Sequence, residues 1–274
     1  MFSQSYLFRH TRLAFFAVLL GLILPAVSQA GGIICGDSLC YGDFMGDTVW
    51  YRMVTETANT DDDTEPLFGM PTVSGNTLDF DPVGFGASAS GAGGNDMTDG
   101  QLTFMVEAKQ GNAIQNIKLQ EAGDVTLSGF SPPEAFASVT TAVFIDIEQV
   151  DGAGIDPIKL QLSMPFGPSG GDYFLSSDGG GGPLFNTIWM GMLFVNIQQE
   201  LIDNNIPFNL GATKISVNLD NTLVAVSQAG TSALIAKKDA DGIIITTNIP
   251  EPASCLLAML GLAFGATLAR RSRR

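Results

Sequence analysis

The side chains able to do chemistry between Gly31 and Ile249 are mostly carboxylates. That stretch holds 27 acidic and 7 basic residues, a net charge of about −20, and no histidine, because His10 is the only one in the chain. Without an imidazole, Ser-His-Asp and Cys-His nucleophile systems are out of reach. Zinc and non-haem iron also lose their commonest ligand. Neither Asp-Thr-Gly nor Asp-Ser-Gly occurs, and no Gly-x-x-x-x-Gly-Lys phosphate loop is present. What survives is a pair of carboxylates working on a glycosidic bond. Asp146 and Glu148 are the best in-strand pair, on the opposite parity to Val143, Ile145 and Ile147. That parity puts them on a solvent face, and among so many acids a pair of this kind arises by chance. No catalytic residue is assigned, and the chain is expected not to be an enzyme.

Hard oxygen ligands of the kind calcium takes occur at Asp61 and Asp63, within Asp61-Asp62-Asp63, and at Asp79 and Asp81. EF-hand spacing is absent, and acids on so negative a domain are ordinarily just solvated. No cofactor is expected, with calcium as the alternative. The negative surface repels nucleic acid and anionic lipid. Cys35 and Cys40 are close enough in sequence to bridge a small loop in an oxidising compartment. The other reading is two free thiols in an N-terminal arm. Trp50, Tyr51, Tyr41, Tyr173 and Trp189 are the aromatics able to stack on sugar rings. Trp50 and Tyr51 must face opposite ways on one strand, and Trp189 lies in the most apolar segment.

Alternation with period two positions these groups. Leu102, Phe104 and Val106 alternate with Gln101, Thr103 and Glu107; Ile158, Leu160, Leu162 and Met164 with Lys159, Gln161 and Ser163; Ile215, Val217 and Leu219 with Ser216, Asn218 and Asp220. Each reads as a strand with one dry and one wet face, as in antiparallel sheets. Turns are expected at Ala122-Gly123-Asp124, Asp151-Gly152, Ala229-Gly230 and Asp241-Gly242. The stretch from Lys214 to Thr247 then reads as a four-stranded run. Thr187 to Val195 is apolar on both parities and reads as a fully buried central strand. Asn196 with Gln199 resembles a capping box opening a short helix over 197–202. Gly84 to Gly94 and Pro168 to Pro183 read as long loops. The expected fold is all-β: an antiparallel, jelly-roll-like β-sandwich with one short helix.

The two ends are of a different kind. Residues 1–30 read as a signal peptide, with Arg9, His10 and Arg12 before an apolar Leu13–Leu24 and Ser28-Gln29-Ala30 before a cleavage point between Ala30 and Gly31. Residues 31–249 are the sandwich ectodomain. Residues 250–274 read Pro250-Glu251-Pro252, an apolar Cys255–Ala269, and Arg270, Arg271, Arg273 and Arg274 around Ser272. As a helix, Cys255–Ala269 would be about 22 Å long, a marginal span of a hydrocarbon core about 30 Å thick. The arginines stay cytoplasmic, and the prolines keep an extended segment at the outer face of the membrane.

This three-part tail resembles the PEP-CTERM sorting signal. Phe44-Met45-Gly46-Asp47-Thr48, Asn76-Thr77-Leu78-Asp79-Phe80-Asp81-Pro82 and Leu219-Asp220-Asn221-Thr222-Leu223 are similar to phrases of PEP-CTERM ectodomains. The resemblance implies passage through the export translocon, transient inner-membrane anchoring by the C-terminal helix, and processing by an exosortase. It further implies a final place on the cell surface or outside the cell, in exopolysaccharide or biofilm material. The expected role is a structural or interaction protein of that material. The alternatives are a polysaccharide-binding module, with or without calcium, and a carboxylate-based glycosidase. Three exposed coplanar aromatics would favour sugar binding, and buried ones the structural role.

Overall fold

The computed structural model describes residues 32–82, 84–129, 134–175, 182–238 and 243–248. In chain order its strands are β1 (Ile33–Cys35), β2 (Ser38–Met45), β3 (Val49–Ala58), β4 (Thr72–Ser74), β5 (Thr77–Phe80), β6 (Gly86–Ser90), β7 (Gly94–Ala108) and β8 (Asn116–Gly129). They continue with β9 (Ala135–Val150), β10 (Ala153–Ser163), β11 (Phe166–Gly167), β12 (Asp172–Leu175), β13 (Leu184–Asn196), β14 (Ala212–Ser227), β15 (Thr231–Lys237) and β16 (Ile243–Asn248). One helix, α1 (Ile197–Asp203), follows β13.

The strands form two antiparallel sheets packed as an all-β sandwich. The first has the order β1-β2-β3-β7-β14-β9-β10, with β12 also on β9. The second has the order β11-β13-β8-β16-β5-β4, and β15 joins β8 to β6. The alternation explains the layering. Leu102, Phe104 and Val106 of β7, Val143, Ile145 and Ile147 of β9 and Ile215, Val217 and Leu219 of β14 all point inward and are buried. They meet Ile117, Leu119, Val125 and Leu127 of β8 and Ala233 and Ile235 of β15 from the facing sheet. The chain crosses between sheets at the short β6–β7 and β14–β15 connections. These corners are tied together where Gly91 N–H donates to Thr231 O at 3.0 Å and Ser227 Oγ donates to Gly91 O at 3.0 Å.

Several expectations give way here. Ala122-Gly123-Asp124 makes no turn: β8 runs straight through it, because Gly123 answers a packing demand rather than a bend. The Lys214–Thr247 stretch holds three described strands, not four, since β14 continues unbroken past Asp220-Asn221. Part of the Gly84–Gly94 tract is a strand, β6, whose small Ala87 and Ala89 alternate inward with Ser88 and Ser90 outward. Part of Pro168–Pro183 is β12, paired with β9. Thr187–Val195 is a strand, but not a fully buried one. Trp189 and Val195 point in, while Ile188, Met190, Met192 and Phe194 are exposed on the other face. Among the described residues, only the two-residue β11 pairs with β13 on its far side. Asp151-Gly152 does turn, with φ of +52° and +80° at the two positions that link Val150 to Ala153. Helix α1 opens as expected, Asn196 Oδ1 accepting from Gln199 N–H at 2.9 Å. The reciprocal half of a capping box is missing, because the Gln199 amide donates to Asp203 at 2.8 Å instead. The expected Asp241-Gly242 turn lies outside the described residues.

Candidate functional site: a polar cluster between the sheets

Four strands bring one polar side chain each to the same point in the apolar interlayer. Glu121 of β8 and Lys237 of β15 come from one sheet, Thr141 of β9 and Asn221 of β14 from the other. Each takes the inward parity of its strand, where its neighbours two residues away are Leu119, Ile235, Val139 and Val143, and Leu219 and Leu223. The aliphatic alternation therefore builds the strands, and one polar residue replaces a core side chain in each.

Lys237 Nζ donates to Glu121 Oε2 at 2.6 Å and to Asn221 Oδ1 at 2.7 Å. Thr141 Oγ1 lies 2.8 Å from both of those oxygens. Its single proton serves one of them at a time. The Lys237 and Glu121 side chains are 1% and 0% exposed. Around the ammonium stand the rings of Phe85, 5.2 Å away, and Trp189, 5.6 Å away. Burial pushes the Lys237 ammonium below the ordinary lysine range, while the charge of Glu121 and its hydrogen bond pull the other way. Glu121 Oε1 and Asn221 Nδ2 are buried without a hydrogen-bond partner. Leaving such an atom unpaired costs on the order of 1–3 kcal/mol. A buried ion pair is seldom better for stability than well-packed apolar residues. The cluster thus sets an amine, a carboxyl and a primary amide in mutual contact, in a dry pocket, at a cost that stability does not explain.

Sequence reasoning did not find this cluster. The available signal was parity: Asn221 continues the inward series Ile215, Val217, Leu219, and Lys237 continues Ala233, Ile235. Reading Gly123 as a turn broke the corresponding series through Glu121.

The residues singled out from the sequence lie elsewhere. Cys35 and Cys40 form a disulfide across the β1–β2 turn. Asp61 and Asp63 lie in the loop after β3, where Asp63 accepts from Thr60 and, at 3.3 Å, from Thr98. Asp79 is on β5 and Asp81 just past its end. Among the described residues, no three His, Cys, Asp or Glu side chains gather as a metal site. Asp146 and Glu148 are on the outer face of β9, paired with Lys159 at 3.8 Å and Lys214 at 2.9 Å. Of the five aromatics, Tyr41, Tyr51, Tyr173 and Trp189 are buried. Trp50 faces outward, but the Arg52 guanidinium covers its ring at 4.4 Å. Asp220, not selected from the sequence, lines a groove of about 240 Å³ with Thr222, Thr140 and Ser163. Burial and the neighbouring charge of Asp99 raise its carboxyl above the ordinary aspartate range. Ala30, Gly31, Pro250, Glu251, Pro252, Arg270, Arg271, Arg273 and Arg274 lie outside the described residues.

The family described as PEP-CTERM protein-sorting motif matches residues 248–274. The chain carries a PEP-CTERM sorting motif. That motif marks an exported protein, sorted by an exosortase and anchored in the membrane until it is cleaved. Among the described residues no helix is long and apolar enough to cross a membrane. No curated protein matches the chain. Solved structures similar to it include TmCBM61 in complex with beta-1,4-galactotriose, at 9% identity and a TM-score of 0.20, over 57% of this chain and 70% of that one. The enzymatically active domain of bacteriophage CBA120 tailspike protein 4 aligns at 13% identity and a TM-score of 0.22, over 78% of this chain and 20% of that one. Endoglucanase 3 of Trichoderma harzianum, from family GH12, aligns at 12% identity and a TM-score of 0.19, over 79% and 96%. Likeness at these TM-scores carries no argument about function.

Proposed function

We propose that this protein is a structural or interaction component of the cell surface or extracellular matrix, acting by its fold and its contacts rather than by catalysis. The observation that carries the reading is the sorting motif at residues 248–274. It joins a sandwich in which Tyr41, Tyr51, Tyr173 and Trp189 are buried and the ring of Trp50 is covered by Arg52, so none of these five offers a stacking platform for a sugar. In this reading Pro250-Glu251-Pro252 is the segment the exosortase grips, the tail from Cys255 onward is discarded, and the mature chain begins at Gly31. No cofactor is required.

The test is mass spectrometry of surface material from cells carrying the wild-type chain or one with Pro250, Glu251 and Pro252 all changed to Ala. Wild-type material should begin at Gly31 and yield no peptide from the 255–274 segment. The variant should remain with the inner membrane, its tail intact. Wild-type surface protein that still contains the 255–274 segment would overturn the reading.

A further inference from the structure

We propose that Lys237 and Asn221 are joined by an intramolecular amide bond that staples the two sheets, with Glu121 carrying the protons. The Lys237 amine is the nucleophile and the Asn221 side-chain carbonyl the electrophile. Their contact is already made, with Nζ 2.7 Å from Oδ1. Cγ is one bond beyond that oxygen. Asn221 Nδ2 has no hydrogen-bond partner, so the amide is free to turn about its Cβ–Cγ bond and present the face of Cγ to the amine. Reacting atoms held in contact gain the large advantage of an intramolecular reaction.

The surroundings supply what a slow aminolysis lacks. An ammonium cannot attack, and Glu121 Oε2, 2.6 Å from Nζ, is placed to take its proton. A dry pocket favours the neutral amine and neutral acid over the separated charges. As Nζ adds to Cγ, negative charge grows on Oδ1, where Thr141 Oγ1 stands 2.8 Å away as a donor.

The Nζ–Cγ bond forms and the Cγ–Nδ2 bond breaks. Glu121 delivers to Nδ2 the proton it received and takes the next one from Nζ, and Nδ2 leaves as ammonia. The ammonium began with three protons and the amide nitrogen with two. One stays on the new amide, three leave with ammonia and one remains on Glu121, so no oxidant or further reactant is needed.

The product also removes one of the two unpartnered atoms of the starting state. The unpartnered Asn221 Nδ2 departs, and the three donors of a buried ammonium become one amide N–H beside the Glu121 carboxyl. The link spans the sandwich, because Asn221 is on β14 and Lys237 on β15 in the opposite sheet. It closes a ring over a sequence separation of 16. That loop adds a covalent tie where only the β14–β15 connection joined the two strands. The inference goes beyond the matrix role proposed above and stands if that role falls.

The experiment is a reduced, denatured peptide map and intact mass of the processed protein, beside the same chain carrying Glu121→Gln. The wild-type chain should be lighter by one ammonia than its sequence requires. Trypsin should be unable to cleave after Lys237, so Asn221 and Lys237 should appear in one looped peptide, residues 215–238, lighter by one ammonia than its sequence. Glu121→Gln should show the full mass of its sequence and a linear peptide, residues 215–237, cleaved after Lys237. Wild-type protein at full mass, with trypsin cleaving after Lys237 to release a linear peptide of residues 215–237, overturns the bond. The looped peptide, lighter by one ammonia and uncleaved after Lys237, in Glu121→Gln overturns the proton-carrying role given to Glu121. Should that variant fail to accumulate, the wild-type map alone decides whether the bond exists.

Discussion

Gly123 lies directly beneath the indole of Trp189. A Cβ at that position would stand 2.6 Å from the ring atom Cε2 and would also collide with Cζ2 and with the carbonyl oxygen of Ala236. The indole is fully buried, and its Nε1–H donates to Asp124 O at 3.2 Å. It has no free direction in which to retreat. Gly123→Ala should therefore destabilise the fold by about 1–3 kcal/mol, as overpacking does, read as a lower denaturant midpoint. Gly154, on β10, has open space around its Cβ position. Gly154→Ala is the control and should change the midpoint little. Equal midpoints for the two variants would remove the packing explanation.

That glycine also shows where the sequence was legible and where it was not. Alternation in the sequence marks the inward faces of β7, β9, β10 and β14, because one side of each strand must be dry. Asp151-Gly152 was legible because a two-residue hairpin needs positive φ at both positions. Gly123 carries the same composition signal for a different physical reason. A small residue that makes room for a distant ring looks, locally, like one that makes a bend. The polar cluster was hidden in the same way. Lys237, Glu121, Asn221 and Thr141 are up to 116 residues apart in pairwise hydrogen-bond separation, and only the topology brings them together. The exposed face of β13 was misjudged because apolar residues on both parities do not reveal which side stays uncovered.

Glu56 holds the loop after β3 by a similar long reach. Its side chain is buried, and its two oxygens accept from Leu67 N–H at 2.7 Å, Phe68 N–H at 2.9 Å and Gly69 N–H at 3.2 Å. Those bonds seat Leu67 and Phe68 in the core against Phe80 and Phe85. Glu56→Gln replaces one acceptor oxygen with an NH₂ that must face a backbone N–H. A loss of about 2–3 kcal/mol is expected from equilibrium unfolding. A midpoint equal to that of the wild-type chain would show that the loop is held by its aromatics alone.

Asp151 gives the protein a pH-dependent contact that can be isolated cleanly. Besides turning the β9–β10 hairpin, it accepts from Asn209 N–H at 2.7 Å, Leu210 N–H at 2.8 Å and Gly211 N–H at 3.0 Å. Those backbone donors hold its carboxyl below the ordinary aspartate range. A carboxyl lowered on folding contributes stability above its unfolded pKa and loses it as the pH falls through the folded one. Asp151→Asn keeps a side chain suited to the turn and removes the charge. The variant should melt lower than wild type at neutral pH. The gap should close below about pH 4, once the unfolded chain begins to take up the proton. A gap that stays constant with pH would assign the effect to hydrogen-bond geometry rather than to the charge.

The processed protein should release no reducing sugar from polysaccharides. A glycosidase needs one carboxyl held as an acid, usually by an apolar pocket, and a partner roughly 5–10 Å away across the scissile bond. The two most deeply buried acids, Glu56 and Glu121, at 1% exposure each, are engaged with backbone N–H groups and with Lys237, where no substrate reaches them. Asp146 and Glu148 sit on the outer face of β9, each paired with a lysine, Lys159 and Lys214. Asp220 is the strongest remaining candidate, raised by burial and by Asp99, and beside a groove. Asp99, however, is already taken up by Thr222 at 3.0 Å and Asn59 at 2.7 Å. It raises the Asp220 carboxyl while each of its own oxygens already accepts a hydrogen bond. A reducing-end assay over a panel of polysaccharides should stay at the buffer level for the wild-type chain. Activity that disappears in Asp220→Asn, Asp146→Asn or Glu148→Gln while the fold is retained would overturn this prediction and make the outer face of the first sheet an active site.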